Sequence, residues 1–371
     1  MRFLDEFRSP SLARKLAAHI RERSTRPVRF MEFCGSHTHA IFKNGIRQLL
    51  PATVELLSGP GCPVCVTSNA DLDRAIALAQ VPGVVLATFG DMLKVPGSHS
   101  SLQEARAQRA DVRVVYSTTD ALELARANPQ RPVIFLGVGF ETTAPTVAAS
   151  VLQASEEGLR NYYVFSMHKL TPPVMDALLR SGEVRLDGVI APGHVSAIVG
   201  WRAWEFLARE FNMPCVVAGF EPLDILLCID RLVELVEAGE ASAESVYTRG
   251  VRPEGNQEAL RLMYQVFEPA PATWRGIGTV PESGLRLKRA YRRFDAEAAF
   301  HVSVPDAREN PACICGEVLR GVKTPLECSL FGRACTPDRP AGPCMVSMEG
   351  SCSAYYLYGG ADAGESAPGA R

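Results

Sequence analysis

The sequence lacks any apolar run that approaches the ~20 residues needed to span a membrane as a helix. Its start, MRFLDEFRSP, is charged and has no apolar segment of the kind found in secretory signals, so we expect a cytoplasmic protein. A formal net charge of −2 provides no broad basic face and argues against nucleic acid as the main partner. The Walker loop, Gly-x-Gly-x-x-Gly and Gly-x-Ser-x-Gly are also missing.

The composition is that of an ordinary globular protein, with 47% hydrophobic and 22% charged residues. At 371 residues the chain is long enough for two or three domains. Short apolar segments alternate with helical patterns up to about residue 255, which predicts parallel sheets. We therefore predict an α/β fold in which two parallel-sheet lobes, 24–150 and 151–255, face a central cleft. Residues 1–23 and 256–371 form an N-terminal helix and a cysteine-rich C-terminal domain.

The chain has eleven cysteines, six of which fall between Cys313 and Cys352. In a reducing compartment structural disulfides are unusual, and clustered thiols more often bind metals or carry out redox chemistry. The cysteine-rich segment is also rich in proline and glycine, so we expect a metal centre to stabilise it. Cys215 and Cys228 lie in apolar runs and are predicted to be core residues.

Two thiols stand three positions apart in Gly59-Pro60-Gly61-Cys62-Pro63-Val64-Cys65. A cysteine at the start of a helix is surrounded by free backbone N–H groups, which lower its pKa and make it a good nucleophile or soft ligand. We interpret Cys62 and Cys65 as a redox pair. The alternative is half of a zinc site, although no second pair follows at a suitable spacing.

A third unusual thiol is Cys34, in Cys34-Gly35-Ser36-His37-Thr38-His39. On a strand His37 and His39 would share a face, and in a loop both can turn toward Cys34. A neighbouring imidazole can take the thiol proton and leave the thiolate that binds soft metals. The alternative is a core cysteine with surface histidines.

The C-terminal cysteines are Cys313, Cys315, Cys328, Cys335, Cys344 and Cys352. Four thiolates suit an iron–sulfur cluster or a zinc ion, and the residue types do not separate the two. Six candidates for four positions leave two spare, and spacing alone does not identify them.

Two further loops follow predicted strands and carry polar side chains. One contains Glu141, Thr142 and Thr143, for which helix capping is a sufficient alternative explanation. The other contains His194, which is as readily structural as functional.

Five motifs together resemble the HypD family of [NiFe]-hydrogenase maturation factors, over nearly the whole chain. They are the motifs that contain Cys34, Cys62 with Cys65, Glu141, and His194, together with the tail Cys-x14-Cys-x6-Cys-x16-Cys. The resemblance implies a scaffold on which the Fe(CN)2CO group is assembled, rather than a conventional turnover enzyme.

The resemblance also implies roles for individual residues. Cys34 would hold the iron together with a HypC-type partner, and Cys62 and Cys65 would be redox-active. Cys313, Cys328, Cys335 and Cys352 match the [4Fe-4S] spacing, with Cys315 or Cys344 as substitutes. A HypE-type partner would deliver cyanide to what we expect to be a monomer within a hetero-complex.

We therefore hypothesise that iron is bound at Cys34 while the cluster and the Cys62/Cys65 pair supply electrons. His37, His39, Glu141, Thr142, Thr143 and His194 are predicted to line the cleft and orient the iron and its ligands. One alternative is an iron–sulfur thiol–disulfide oxidoreductase without an assembly role. Another is a zinc-stabilised interaction scaffold, which would be colourless.

Overall fold

A computed structural model describes residues 5–359. The strands are β1 Val28–Glu32, β2 Val54–Ser58, β3 Val85–Thr88, β4 Asp111–Val114, β5 Val133–Gly137, β6 Tyr162–Ser166, β7 Gly188–Ala191, β8 Cys215–Val217, β9 Ala243–Ser245, β10 Phe267–Trp274 and β11 Gly278–Leu287. The α-helices are α1 Pro10–Arg23, α2 Gly35–Lys43, α3 Ile46–Leu49, α4 Pro63–Val66, α5 Asn69–Ala79, α6 Leu102–Ala107, α7 Thr118–Ala127, α8 Ala144–Glu156, α9 Thr171–Ser181, α10 Gly193–Val199, α11 Glu205–Phe211, α12 Pro222–Ala238, α13 Gln257–Val266, α14 Ala296–Ala299, α15 Cys315–Leu319 and α16 Ser351–Tyr358. Short 3-10 turns connect several of them, and no helix within residues 5–359 is long and apolar enough to cross a membrane.

The fold is α/β, as predicted, with two sheets whose strands are all parallel. The first sheet has the order β2-β1-β7-β8-β9, and the second has the order β4-β3-β5-β6. In the first sheet Phe30 of β1 pairs with Leu56 of β2 and with Gly188 of β7. The strands are short and apolar because helices and loops bury both faces of each sheet.

The sheets divide the chain differently from the predicted ranges 24–150 and 151–255. Strands β1 and β2 pair with β7, β8 and β9, whereas β6 joins β3, β4 and β5. The chain therefore starts the first sheet, builds the whole second sheet, and returns to finish the first. Parallel strands joined by helices are compatible with many strand orders, so the alternating pattern did not reveal which strands pair.

Local signals in the sequence set several helix boundaries. Ser68 caps α5 by accepting a hydrogen bond from the backbone N–H of Asp71. Ser117 caps α7 by accepting a hydrogen bond from the backbone N–H of Asp120. The Asp120 carboxylate in turn accepts from the backbone N–H of Ser117, which completes a capping box.

One continuous group of buried apolar residues joins the inner faces of the two sheets. Met31 and Val189 come from the first sheet, and Leu86 and Leu136 come from the second. Cys65 belongs to the same group, so the predicted redox loop is part of the core that unites the lobes. The outer face of the first sheet is covered by α1 and α12, and the outer face of the second by α7, α8 and α13.

The C-terminal part begins with an antiparallel hairpin, β10 and β11, and continues with short helices and turns. Few strands or long helices form after residue 288, in agreement with the expected loss of alternation. The last described helix, α16, packs against α2, which begins directly after Cys34. The cysteine-rich segment is thereby anchored next to the start of α2.

Candidate functional site

Cys34 lies where β1 ends, at the N-terminal cap position of α2. The loop after the neighbouring strand β2 passes directly over it. A Cβ atom on Gly61 would lie 2.5 Å from the Cα of Cys34, and the backbone N–H of Gly35 donates a 2.9 Å hydrogen bond to the Gly61 carbonyl. Only glycine permits this approach, which places the Cys34 loop and the Cys62/Cys65 loop in contact.

The Cys34 thiol is buried, with 7% of the residue exposed. Burial raises its pKa to about 12, helped by the carboxylates of Glu349 and Glu32 and opposed by backbone N–H groups. Without a bound cation, Cys34 is therefore a neutral thiol near pH 7. A cation that replaced the proton would remove the unfavourable burial of a lone thiolate.

Glu32 is a buried carboxyl that the sequence reasoning did not select. It accepts a 2.9 Å hydrogen bond from the backbone N–H of Cys34 and another from the hydroxyl of Thr38. Burial raises the pKa of Glu32 to about 8, against the lowering effect of these hydrogen bonds. An acidic residue inside the apolar run of β1 was the available signal, because buried carboxyls are rare without a specific role.

The two histidines after Cys34 lie in helix α2, and not on the strand or in the loop that we considered for them. Residues two apart in a helix point to different sides. The Nε2 of His37 is 3.0 Å from the Gly219 carbonyl, and burial lowers the pKa of His37 to about 4. His39 instead contacts the ring of Tyr358 edge-on. His37 is thus a neutral imidazole whose Nε2 donates to a backbone carbonyl.

His194 joins the group around Cys34 through an aromatic stack. Its ring lies 3.9 Å from that of Phe220, whose ring is in turn 4.8 Å from that of His37. His194 is exposed at the edge of a cavity of about 630 Å³. The other lining residues that matter here are Ser36 and His39.

The cavity is closed on one side by Met348 and Glu349 from the cysteine-rich segment. The Ser36 hydroxyl donates a 2.5 Å hydrogen bond to Glu349, and a Cβ atom on Gly35 would lie 2.7 Å from the Glu349 carbonyl oxygen. Burial also raises the pKa of Glu349. None of the lining residues comes from the second sheet. The cavity therefore lies between the unit built on the first sheet and the C-terminal segment, rather than between the two predicted lobes.

Cys62 and Cys65 are joined by a disulfide, with their Cα atoms 5.2 Å apart. Cys62 caps the short helix α4, and its sulfur accepts a hydrogen bond from the backbone N–H of Cys65. Cys62 is 3% exposed and Cys65 is fully buried. The Cys65 sulfur lies 3.9 Å from the Pro343 carbonyl oxygen, which places it beside the cysteine-rich segment.

The C-terminal cysteines form one neighbourhood. The sulfurs of Cys315 and Cys344 are 2.9 Å apart. The pKa of Cys315 is lowered because Cys313 and Cys344 donate to its sulfur and because the Arg275 cation is near. Cys352 is hydrogen-bonded to Cys344. Both Cys352 and Cys328 are near enough to Cys335 to raise the pKa of its thiol electrostatically. The donor set is entirely sulfur, which is the chemistry that iron–sulfur clusters require.

In residues 5–359, no group of three or more cysteine, histidine or acidic side chains is arranged to hold a single metal ion. Of the six cysteines, Cys313, Cys328, Cys335 and Cys352 match the spacing of the family motif and are the candidate ligands for a larger group. Cys328 and Cys352 are partly exposed, whereas Cys315 and Cys344 are buried.

The structure does not bring the loop of Glu141 into contact with Cys34. The Glu141 carboxyl accepts hydrogen bonds from the backbone N–H and the hydroxyl of Thr171, at 2.7 and 2.9 Å. Burial raises the pKa of Glu141 to about 7. Thr143 hydrogen-bonds to the carbonyl of Phe140, and Thr142 is half-buried. Capping at the start of α9, rather than at the expected helix α8, accounts for the Glu141 contacts.

Comparison with known proteins identifies the same relationship as the motifs. A family model for HypD, described as "Hydrogenase formation hypA family", matches residues 11–359. The hydrogenase maturation factor HypD of Azotobacter vinelandii is 49% identical over 368 residues, covering 97% of each chain. HypD of Rhizobium leguminosarum bv. viciae is 48% identical over 369 residues, covering 97% of this chain and 96% of its own. HypD of Escherichia coli (strain K12) is 45% identical over 366 residues, covering 96% and 98%.

We predict that Gly61→Ala destabilises the protein by about 2 kcal/mol, because the added methyl group overlaps the backbone of Cys34. Chemical denaturation monitored by circular dichroism measures the loss. Gly90→Ala is the matched control, since its added methyl group would meet only ordinary contact with Val114 at 3.7 Å. Equal stability of the two variants would contradict the close approach of the loops.

We also predict that the buried Glu141 carboxyl makes stability depend on pH. Its folded pKa of about 7 lies above the ordinary pKa of 4.5 for a glutamate, so the folded state binds the proton more tightly. The free energy of unfolding should therefore fall as pH rises from about 4.5 to 7, with a slope of about one proton. Urea titrations at several pH values should show a flatter profile for Glu141→Gln. An unchanged profile would mean that Glu141 titrates normally.

Proposed function

This chain belongs to the HypD family of hydrogenase maturation factors, and on that premise we propose that it is the scaffold on which the Fe(CN)2CO group of [NiFe]-hydrogenase is assembled. The iron is the cargo, and Cys34 is its ligand from this chain. The contact of Gly61 with Cys34 carries the proposal, because it brings a soft metal ligand and a dithiol–disulfide pair to one place. Neither loop alone would serve both metal binding and electron supply.

Cys34 suits a soft cation that arrives with its own ligands. The buried thiol is neutral, so binding of Fe²⁺ releases a proton and leaves a thiolate as ligand. Glu32 holds the backbone N–H of Cys34 and thereby fixes the start of α2. Glu349 lies beside the same cysteine and adds negative charge that favours a cation. Cys34 would hold the iron, while Glu32 and Glu349 would set the orientation of the loop and the charge around it.

Cys62 and Cys65 would store the electrons. Their disulfide accepts two electrons and two protons to become two thiols, and oxidation returns both. Because Cys65 contacts Pro343, the residue before Cys344, the pair lies at the boundary of the cysteine-rich segment. Within that segment, the sulfur of Cys344 contacts that of Cys315, which in turn is hydrogen-bonded to Cys313.

We assign Cys313, Cys328, Cys335 and Cys352 as the residues that would hold a [4Fe-4S] cluster. When bound, such a cluster supplies electrons one at a time. Two of the four adjoin the Cys315–Cys344 contact, since Cys313 contacts Cys315 and Cys352 contacts Cys344. The cysteine-rich segment has little regular secondary structure, so a bound metal group would also stabilise its fold.

The cavity of about 630 Å³ beside α2 is the entry for partners. A HypC-type partner would contribute the second iron ligand there, and a HypE-type partner would deliver cyanide. His39 and His194 lie at its wall, where a hydrogen-bonding side chain can orient a small polar ligand. Ser36, two residues after Cys34, also lines this cavity and is hydrogen-bonded to Glu349.

The oxidoreductase alternative is less compatible with the geometry. Thiol–disulfide exchange with another protein requires attack in line with an accessible sulfur. Cys62 is 3% exposed and Cys65 is fully buried, so a protein thiol has no path to either without local opening. Binding of a small ion at Cys34 needs no such opening. Electron transfer between the disulfide and the adjacent cysteine-rich segment needs none either.

Infrared spectroscopy of the protein purified together with its HypC-type and HypE-type partners tests the iron site. The wild type should show CN and CO stretching bands. Cys34→Ala should weaken them at least about tenfold, because the soft ligand is lost. Cys215→Ala, which alters a buried cysteine of β8, should keep them. Bands of full intensity from Cys34→Ala would reject Cys34 as the ligand.

The cluster assignment predicts that Cys328 and Cys344 behave differently. After anaerobic purification, Cys328→Ser should lose most of its bound iron and its broad visible absorbance, because a cluster ligand is removed. Cys344→Ser should retain about four iron atoms per chain, since its sulfur is assigned to the contact with Cys315. Iron loss in Cys344→Ser with retention in Cys328→Ser would overturn the assignment.

A further inference from the structure

The turn between β10 and β11 contacts three other segments, namely the one that follows Cys65, the loop of Phe140 and the start of α15. We call residues 274–278 the hairpin tip. Its backbone N–H at Arg275 donates a 2.9 Å hydrogen bond to the carbonyl of Val66, the residue after Cys65. Trp274 also forms an isolated β-bridge with Thr67. The hairpin tip therefore continues the backbone pairing of the segment that leaves the disulfide.

The Arg275 side chain adds a second layer of contacts to the same segment. Its Nε donates a 3.1 Å hydrogen bond to the Thr67 carbonyl, and its Nη2 donates to the side-chain oxygen of Asn69. Arg275 is 6% exposed, and no acidic partner for it appears in the part of the chain that the structure describes. A buried guanidinium that binds a carbonyl and an amide together is costly to place, so its position implies a specific task.

Two more contacts connect the hairpin tip to the other loops. The Trp274 ring stacks on Phe140, with ring centres 5.9 Å apart, and its Nε1 donates to the hydroxyl of Ser283. Gly276, with a φ of +72°, packs directly on Gly316, the residue after Cys315. A side chain at either glycine would collide with the other backbone.

A second arginine fixes the hairpin tip from the cysteine-rich side. Arg320, in the turn after α15, donates to the Gly276 carbonyl and pairs with Glu183 at 2.6 Å. The hairpin tip is thus held between the segment after Cys65 and the helix that begins at Cys315. The hairpin tip is distant in sequence from both segments, so these non-covalent contacts hold the three together.

We propose that the hairpin tip is a clamp that holds the Cys62–Cys65 loop against the cysteine-rich segment, with Arg275 as its positioning residue. The inference rests on the proposed function, because it explains how the two thiol groups are kept close enough to exchange electrons. The contacts that form the clamp do not depend on which metal the cysteines bind. Loss of Arg275 should free the loop while the two sheets stay folded.

Site-resolved alkylation of the full-length protein tests the clamp. The protein is reduced anaerobically and treated with iodoacetamide, and the modification rate of each cysteine is followed by mass spectrometry. In Arg275→Gln the rates at Cys62 and Cys65 should rise about tenfold, because the loop opens locally more often. Cys215 in β8 and Cys228 in α12 are fully buried at the first sheet and should react as slowly as in the wild type.

Control variants separate the clamp from a general loss of stability. Arg231→Gln removes an arginine that pairs with Glu244 on the first lobe, and should leave the rates at Cys62 and Cys65 unchanged. If Arg275→Gln fails to fold, Asn69→Ala removes one acceptor of Arg275 and should give a smaller rise of about threefold. Unchanged rates, or an equal rise at all four cysteines, would overturn the clamp.

The outcome is distinguishable from failure of the proposed function. If the wild type shows no CN and CO bands with its partners but Arg275→Gln exposes Cys62 and Cys65 selectively, the assembly role fails and the clamp stands. If the bands appear and the alkylation rates do not change, the assembly role stands and the clamp fails.

Discussion

The candidate site depends on a close backbone approach between two loops at the same end of neighbouring parallel strands. β1 and β2 pair in register, so their loops leave the sheet side by side, and Gly61 then lies against Cys34 with no room for a side chain. The approach costs conformational freedom in Gly59 and Gly61, which the two prolines in the same loop partly offset. The proximity of the Cys34 loop to the Cys62–Cys65 disulfide follows from it.

The second constraint is desolvation. Burial keeps Cys34 protonated and keeps His37 neutral, and it leaves two carboxyl groups, Glu32 and Glu349, beside a thiol that lacks a positive neighbour. This arrangement is unfavourable for an empty thiolate and favourable for a cation that replaces the proton. The local environment therefore disfavours a free nucleophilic thiolate at Cys34.

Sequence reasoning could predict the features that depend on neighbouring residues. The parallel α/β character, the cap at Ser68 and the core positions of Cys215 and Cys228 all follow from local pattern and are found in the structure. The strand pairing was not predictable, because β1 meets β7 across more than a hundred intervening residues. The placement of His37 and His39 on a strand or in a loop was wrong, because Gly35 starts a helix.

The residues missed by sequence reasoning have in common that their partners are distant in the chain. Glu349 reaches Ser36, and Arg275 reaches Thr67 and Asn69, from a part of the sequence that lacks regular alternation. An arginine or glutamate in such a segment gives no sign of burial until its partners are known. This irregular segment closes the cavity and contacts the disulfide loop. The residues that position the thiol-bearing loops therefore lie where the sequence pattern predicts least about structure.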